Sequence, residues 1–365
     1  MRPFWHPLSA LLLTDPPSYA TPGMIRTFLR GPEGLELRYA GDRMWPAVAQ
    51  GQRIVVHPPP GGAPAQGSVV VAELEGIPDL LRVARVSAGR LTLTADADPE
   101  LRVHVEGAGL LAVADLPSRA TGVAASRLRR LFLDHAEAWN GEPDDLPSAT
   151  VLCKYDGQAP YYAASAATLQ PSLLQRIRQN VRPGGRILVA GSGTGMECFA
   201  LAAEGWQVTG VDFAPRMVEL ARQESERRRL AVRFHHVDLL QHDEPAGSLA
   251  AVLFTHDVYS FLPDREHRCR LLESMSRWLE PEGCILLSAR LASRPYERWI
   301  LTLQWLRRGG RRWGHTHTRW VSADGALHRS FVRLHGEAWL AREARKAGFD
   351  IETWEAGHAL LTREP

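Results

Sequence analysis

Residues 186–195 read Arg186-Ile187-Leu188-Val189-Ala190-Gly191-Ser192-Gly193-Thr194-Gly195. An unbroken apolar run, Ile187 to Ala190, goes straight into three glycines at alternate positions. Such a run suits a strand buried on both faces. Glycine reaches backbone angles closed to other residues and lets a ligand approach the main chain. In an open α/β sheet, a loop at the carboxyl end of the first strand is where ligands sit. The dinucleotide fingerprint needs Gly-x-Gly-x-x-Gly, and Met196 holds its last position here. The Gly-x-Gly-x-Gly spacing fits a cofactor without a pyrophosphate better.

Outward from this loop, strand and helix patterns alternate. Helices are expected over 171–180, 196–204, 215–229 and 265–279, and strands over 207–211, 233–237, 251–255 and 284–289. This alternation predicts a parallel sheet covered by helices. Asp212 follows the second strand, where a carboxylate can accept both hydroxyl hydrogens of a ribose. Asp238 follows the third, where a carboxylate can accept a hydrogen bond from an adenine amino group.

The glycine loop, Asp212, the turn Ala214-Pro215-Arg216-Met217, Asp238 and Pro281-Glu282-Gly283 before Cys284–Ser288 together resemble class I S-adenosylmethionine-dependent methyltransferases. The resemblance covers roughly residues 150–365. It includes a late helix, Glu337–Ala347, then Gly348-Phe349-Asp350-Ile351 and a last strand, Ala359–Thr362. It implies an α/β, Rossmann-like seven-stranded methyltransferase domain over 148–365, with S-adenosyl-L-methionine as cofactor. The cofactor contacts it implies are Gly191, Ser192, Gly193, Gly195, Asp212, Phe213, Asp238, Leu239 and Tyr162. One position departs from the pattern: many members carry an acidic residue where this chain has Val189. Glu197 or backbone carbonyls are the expected substitutes.

Methyl transfer is an in-line displacement that needs a positioned nucleophile and sometimes a base. The fourth strand ends at Thr255-His256-Asp257-Val258-Tyr259, a loop that the resemblance turns towards cofactor and acceptor. His256 is the candidate general base, with an ordinary pKa near neutrality. A structural role for it at the strand end is the alternative. Asp257 is expected to orient His256 or bind an amine, and Tyr259 to shield the cofactor or hydrogen-bond the acceptor. The stretch Lys154-Tyr155-Asp156-Gly157-Gln158-Ala159-Pro160-Tyr161-Tyr162 is expected to supply an aromatic lid through Tyr155 or Tyr162. Between Trp305 and Trp320, Arg307, Arg308, Arg311 and Arg312 interleave with tryptophan. That pattern suits an anionic or aromatic acceptor, or RNA. A solvated helix end followed by an exposed hairpin accounts for it equally well. No Asn/Asp-Pro-Pro-Tyr sequence follows the fourth strand and no cytosine-directed cysteine motif is evident, so nucleic-acid methylation is not expected. No metal is expected either, because His315-x-His317 has no third ligand at a matching spacing.

Residues 24–120 have another texture. Short strands are expected over 35–39, 53–57, 68–74, 80–86 and 91–95, separated by breakers such as Pro58-Pro59-Pro60-Gly61-Gly62. No helix of useful length is expected among them. Gly41-Asp42-Arg43-Met44-Trp45-Pro46 resembles the Gly-x-Ser-Met-x-Pro motif of LexA-type and signal-peptidase-type serine peptidases. The resemblance covers about residues 34–115 and implies a small, mostly-β LexA-peptidase-like domain. That family uses a serine activated by a buried lysine. Arg43 and Ala84 stand at the matching positions, so the implied domain is catalytically inactive. Its cleft can still take an extended peptide by strand addition. Rigidifying the enzyme or making a dimer are the blander roles.

A chain of 365 residues with 45% hydrophobic and 23% charged residues suits two globular domains. A net charge of +2 gives no global reason to expect nucleic acid or an anionic membrane. The four cysteines show no metal or disulfide spacing, which points to a cytoplasmic protein. Residues 1–23 read as a disordered leader with a faint likeness to a signal peptide, broken by Pro7, Pro16 and Pro17. Residues 121–147 read as a linker with a helix over Ser126–Trp139. The expected function is methyl transfer to nitrogen or oxygen of a small-molecule or peptide acceptor. The first domain would bind peptide or support the structure. A cofactor-sensing regulatory protein and an RNA methyltransferase are the rivals. Neither membrane nor nucleic acid is an expected partner, and a homodimer is compatible with the sequence.

Overall fold

A computed structural model describes residues 11–14, 17–20, 22–29, 34–40, 44, 48, 52–74, 77–87, 90–96, 101–116, 147–164, 169–262, 264–292, 295–307, 313–322, 326–355 and 358–363. They form two compact units. One comprises the described residues within 1–136, 164–167 and 319–329, and the other those within 137–163, 168–318 and 330–365. The expected linker helix over Ser126–Trp139 lies outside the described residues.

The first unit is a nine-stranded antiparallel sheet. Its strands are β1 (Leu11–Thr14), β2 (Pro17–Tyr19), β3 (Leu35–Tyr39), β4 (Arg53–His57), β5 (Val69–Leu74), β6 (Ile77–Ser87), β7 (Arg90–Thr94), β8 (Val103–Glu106) and β9 (Leu110–Ala114). Their order across the sheet is β2-β1-β3-β4-β9-β5-β6-β7-β8. A short helix, α1 (Pro22–Phe28), follows β2. One expectation is corrected here: residues 11–14 and 17–19 are strands rather than disordered leader. Leu11 and Leu13 explain the correction, because both are buried with Ile25, Leu37 and Val56. Each buried leucine contributes about 1.5–3 kcal/mol, enough to hold a short strand onto a sheet edge. Inside this unit, Arg82 makes a two-pronged salt bridge to Asp96 at 2.7 Å on both contacts and donates to the Gly67 carbonyl. Ala84 sits at a register shift of β6 against β7. Arg43 lies outside the described residues, whereas Met44 is buried and its N–H donates to the Tyr39 hydroxyl.

The second unit carries β10 (Arg186–Ala190), β11 (Gln207–Asp212), β12 (Arg233–His236), β13 (Leu249–Phe254), β14 (Leu279–Leu287), β17 (Phe349–Glu355) and β18 (His358–Arg363), while a separate pair, β15 (His315–Val321) and β16 (Leu327–Arg333), has residues in each unit. Its helices are α2 (Pro147–Ala164), α3 (Pro171–Asn180), α4 (Met196–Ala203), α5 (Pro215–Arg228), α6 (Arg265–Trp278), α7 (Pro295–Arg307) and α8 (Glu337–Lys346). The main sheet has the expected seven strands, ordered β12-β11-β10-β13-β14-β18-β17. The first five are parallel, and β18 runs antiparallel to both neighbours. Alternation along β10 sends Leu188 and Ala190 into one core with Leu272, Met275 and Trp278 of α6. Ile187 and Val189 enter the other, with Ile177 of α3, Phe199 of α4 and Val218 of α5. Both faces are covered, which is why the strand sequence is apolar throughout. The strand order reverses between β11-β10 and β10-β13, so the crevice at their carboxyl ends is the topological switch point.

Two elements override their local sequence. Helix α2 runs through Gly157 and Pro160, although proline removes a helical donor. Burial of Val151, Lys154, Gln158 and Ala159 holds it in place. Strand β14 starts at Leu279, five residues earlier than the motif suggests, and passes through Pro281. Leu249 pairs with Leu279 and Ala251 with Cys284, so the extra residues bulge out and Pro281 interrupts no ladder bond. Among the described residues no helix is long and apolar enough to cross a membrane.

The charged centre of this unit is an ion pair. Arg268 of α6 and Glu343 of α8 are 0% and 1% exposed, joined at 3.0 and 2.7 Å. The Tyr259 hydroxyl also donates to Glu343, at 3.0 Å. Removing one partner of a buried pair leaves an uncompensated charge. Glu343→Leu is therefore expected to cost about 3–5 kcal/mol in urea unfolding, with part of that recovered in the double variant Arg268→Met/Glu343→Leu. A loss below about 1 kcal/mol in the single variant would show that the pair is not desolvated as described.

Candidate functional site

Gly191 and Ser192 donate their N–H groups to the Val211 carbonyl at 2.8 and 3.0 Å, folding the loop back onto β11. Gly191, Gly193 and Gly195 all have positive φ, at 69°, 53° and 91°. A Cβ on Gly191 would come within 2.4 Å of Val258, and one on Gly195 within 2.8 Å of the Phe199 and Phe234 rings. A Cβ on Gly193 would meet nothing nearer than Met217 Sδ at 4.0 Å. Gly191 and Gly195 are thus fixed by close packing, whereas Gly193 faces open space.

Asp212, at the end of β11, locks this loop. Its Oδ2 accepts from Gly193 N–H at 2.8 Å and its Oδ1 from Ala214 N–H at 2.9 Å. Burial pushes its carboxyl above the usual range, and those backbone donors pull it back in part. Each oxygen keeps a lone pair for a ligand hydroxyl. Asp238 lies two residues beyond β12 and caps a short 3-10 turn, Leu239–Gln241, by accepting from Leu240 N–H at 2.9 Å. The Leu239 side chain is buried in the core, so only its backbone can meet a ligand. The Phe213 carbonyl lies 3.2 Å from His236 Nε2. Ser192 Oγ and Thr255 Oγ1 are buried without a hydrogen-bond partner among the described residues. Two waiting polar atoms, a ribose-type carboxylate and a glycine with open space in front of it fit an adenosyl group.

The carboxyl end of β13 is strained. His256 and Asp257 both have left-handed backbones, with φ of 49° and 60°. Such angles are uncommon outside glycine and cluster at functional turns. The turn is held by Asp257 N–H donating to Ser288 Oγ at 2.8 Å. His256 Nε2 lies 2.7 Å from Glu197 Oε1, with the imidazole half-exposed and the carboxylate buried. A carboxylate near neutral pH only accepts, so Nε2 carries the hydrogen and Nδ1 is left with the lone pair. Glu197 occupies the first turn of α4, where the helix amino terminus favours negative charge. Burial alone would lower the His256 pKa, but the charge and hydrogen bond of Glu197 outweigh it, and the net shift is upward. The same contact holds Glu197 below its usual range against its own burial.

Two candidate roles change as a result. Glu197, not Asp257, orients His256. Asp257 instead faces Arg290, whose Nε lies 3.4 Å from Asp257 Oδ2. Tyr259 does not face the crevice; it is fully buried and its hydroxyl is committed to Glu343. Tyr155 stands edge-on to Phe261 at 5.4 Å between ring centres, and Tyr162 lies 6.1 Å from Tyr155. Asp156 of the same helix accepts from Arg216 N–H at 2.9 Å, which seats α2 on the start of α5. Arg290 was not legible in the sequence. Its only signal is its place just past β14, beside the crevice. Of the basic stretch, Arg308, Arg311 and Arg312 lie outside the described residues. Trp313 stacks on Trp339 at 5.8 Å.

Residues 187–283 match the methyltransferase-domain family. A ribosomal protein L11 methyltransferase of Burkholderia thailandensis is 29% identical over 201 residues, which cover 53% of this chain and 59% of that protein. A demethylmenaquinone methyltransferase of Thermus thermophilus is 36% identical over 104 residues, 28% of this chain and 46% of that one. A solved methyltransferase from Bacteroides fragilis, in complex with S-adenosyl-L-homocysteine, is 20% identical with a TM-score of 0.41 and covers 54% of this chain and 78% of that one. The chain spans about half the length of the curated relatives it matches. Residues 187–283 of this chain thus carry a methyltransferase domain.

The Glu197–His256 pair makes a prediction independent of any ligand. In an NMR titration the His256 imidazole should titrate above its ordinary value of about 6.5. In Glu197→Gln its midpoint should fall to that value or below, because burial then acts without the carboxylate. An unchanged midpoint would rule out the pair as the source of the shift.

Proposed function

We propose that this protein transfers a methyl group from S-adenosyl-L-methionine to nitrogen or oxygen of a small-molecule or peptide acceptor. The observation that carries this reading is the joining of two structures at one crevice. The glycine loop locked by Asp212 is a cradle for adenosine, and the Glu197-oriented His256 stands beside it at the end of β13. When bound, the cofactor supplies an electrophilic methyl group.

The residues proposed to hold it are Gly191, Ser192, Gly193 and Gly195 along the loop, Asp212 and Phe213 at the ribose, Asp238 and the Leu239 backbone at the adenine, and Tyr162 from α2. His256 Nδ1 accepts the acceptor's proton, while Glu197 fixes the tautomer and stabilises the imidazolium that results. Because Glu197 raises the His256 pKa, the base is competent only as pH rises through that raised value. Tyr155, Tyr162 and Phe261 form the apolar wall that excludes water. The relatives' names include both a protein methyltransferase and a quinone-type methyltransferase, which supports keeping peptide and small molecule together.

For the first unit we propose an inactive LexA-peptidase-like module that binds an extended peptide or braces the enzyme. What supports the peptide version is that β2 and β8 are the outermost strands of its sheet among the described residues. The free thiols of Cys153, Cys198, Cys269 and Cys284 fit a cytoplasmic setting.

Calorimetric titration with S-adenosylmethionine and S-adenosylhomocysteine tests the reading. Both should bind, and Asp212→Ala should weaken them by about a hundredfold or more, since charge-assisted hydrogen bonds contribute about 1.5–3 kcal/mol each. Once an acceptor is found, His256→Gln should lower kcat by about a hundredfold or more at unchanged cofactor affinity. No binding of either ligand to the native protein would sink the assignment.

A further inference from the structure

Ser288 is the first residue past β14, and the sheet sets its place there. Phe254 pairs with Leu287 across the β13–β14 ladder, and Ser288 N–H extends the ladder by donating to the Phe254 carbonyl at 3.1 Å. The residue is buried. Its Oγ accepts from Asp257 N–H at 2.8 Å. That N–H belongs to the second of two consecutive left-handed residues, His256 and Asp257. Non-glycine residues hold such angles only where their neighbours fix them. Two other bonds join the loop to itself: Val258 N–H donates to the Thr255 carbonyl at 3.1 Å, and Ser260 N–H to the Asp257 carbonyl at 2.8 Å. The bond to Ser288 ties the backbone of the turn to the sheet instead. Val258 of the same loop packs on Gly191, where a Cβ would come within 2.4 Å. The strained turn thus has fixed neighbours in both β14 and the glycine loop.

We propose that Ser288 is a positioning residue for methyl transfer. Its hydroxyl oxygen holds the His256–Asp257 turn in the left-handed form that keeps His256 Nε2 on Glu197 and leaves Nδ1 for the acceptor's proton. The role rests on the methyl-transfer reading, in which His256 is the base. Without that oxygen the Asp257 N–H loses its partner, and the turn is free to relax its strain. The imidazole then leaves a carboxylate that it meets at 2.7 Å. The charges acting on His256 are those of Glu197 and Asp257, and Asp257 in turn faces Arg290. Ser288 carries no charge, so it reaches the imidazole through geometry alone.

The test is an NMR titration of the full-length protein, with the His256 signal identified by its loss in His256→Gln. In Ser288→Ala the midpoint should fall from its raised position towards about 6.5. Ser288→Thr keeps the oxygen and should restore it. Ser260→Ala cuts another hydroxyl tie between the same two segments, Arg290 N–H to Ser260 Oγ at 2.8 Å, and should leave the midpoint in place. Added to Glu197→Gln, Ser288→Ala should move it no further, because both act through one contact. By calorimetry, S-adenosylhomocysteine affinity should change less than about threefold in Ser288→Ala. An unmoved midpoint in Ser288→Ala, an equal fall in Ser260→Ala or Ser288→Thr, or an additional fall in the double variant overturns the positioning role alone. Failure of the native protein to bind S-adenosylhomocysteine overturns the methyl-transfer reading and the role with it.

Discussion

The contact between the Asp212 carboxylate and the Gly193 N–H ties the second unit's function to its fold. A glycine loop without such a tether would sample many backbone states, because each glycine is free to do so. Here β11 supplies both anchors: the Val211 carbonyl accepts from Gly191 and Ser192, and the Asp212 side chain accepts from Gly193. The loop is thereby ordered before any ligand arrives, which lowers the entropy lost on binding. Those anchors are in register only because β10 and β11 are paired in parallel, Ala190 beside Val211. The parallel pairing in turn depends on helices covering both faces of the sheet.

Around that tether the unit stores its less favourable choices at the carboxyl ends of the strands. Two consecutive left-handed residues, His256 and Asp257, follow β13, and a buried carboxylate, Glu197, sits opposite. Each is costly alone. Together they set one imidazole nitrogen free and fix the other. The Arg268–Glu343 pair, with Tyr259, lies below this region and locks α6 to α8, so the strained turn rests on a rigid base. The strain belongs to the site, and the ion pair to its support.

Much of this was legible in the sequence, for a reason that can be stated. The glycine loop, Asp212 and Asp238 are set by chain-local rules: strand ends, turns and helix starts fall at fixed spacings. The helix bounds of α3, α5 and α6 follow the 3.6-residue period within a residue of expectation. Where tertiary packing overrode local preference, the sequence misled. Leu11 and Leu13 look like part of a proline-broken leader until β3 is there to pair with them. Gly157 and Pro160 look like breaks in a helix that burial maintains. Tyr259 sits in the middle of a functional-looking loop, yet its ring points to the core, because a 3-10 turn reverses its direction.

By itself the sequence determined the fold class of the second unit and the place of its glycine loop, since both rest on periodicity and on residue types at short spacing. Only the tertiary structure decided which charged groups meet. Glu197 and His256 are 59 positions apart, and Arg268 and Glu343 are 75. No local pattern encodes such pairings. They follow from the sheet order, which brings the carboxyl ends of β10, β11, β13 and β14 to one crevice, and from the low dielectric there, which makes each partner matter.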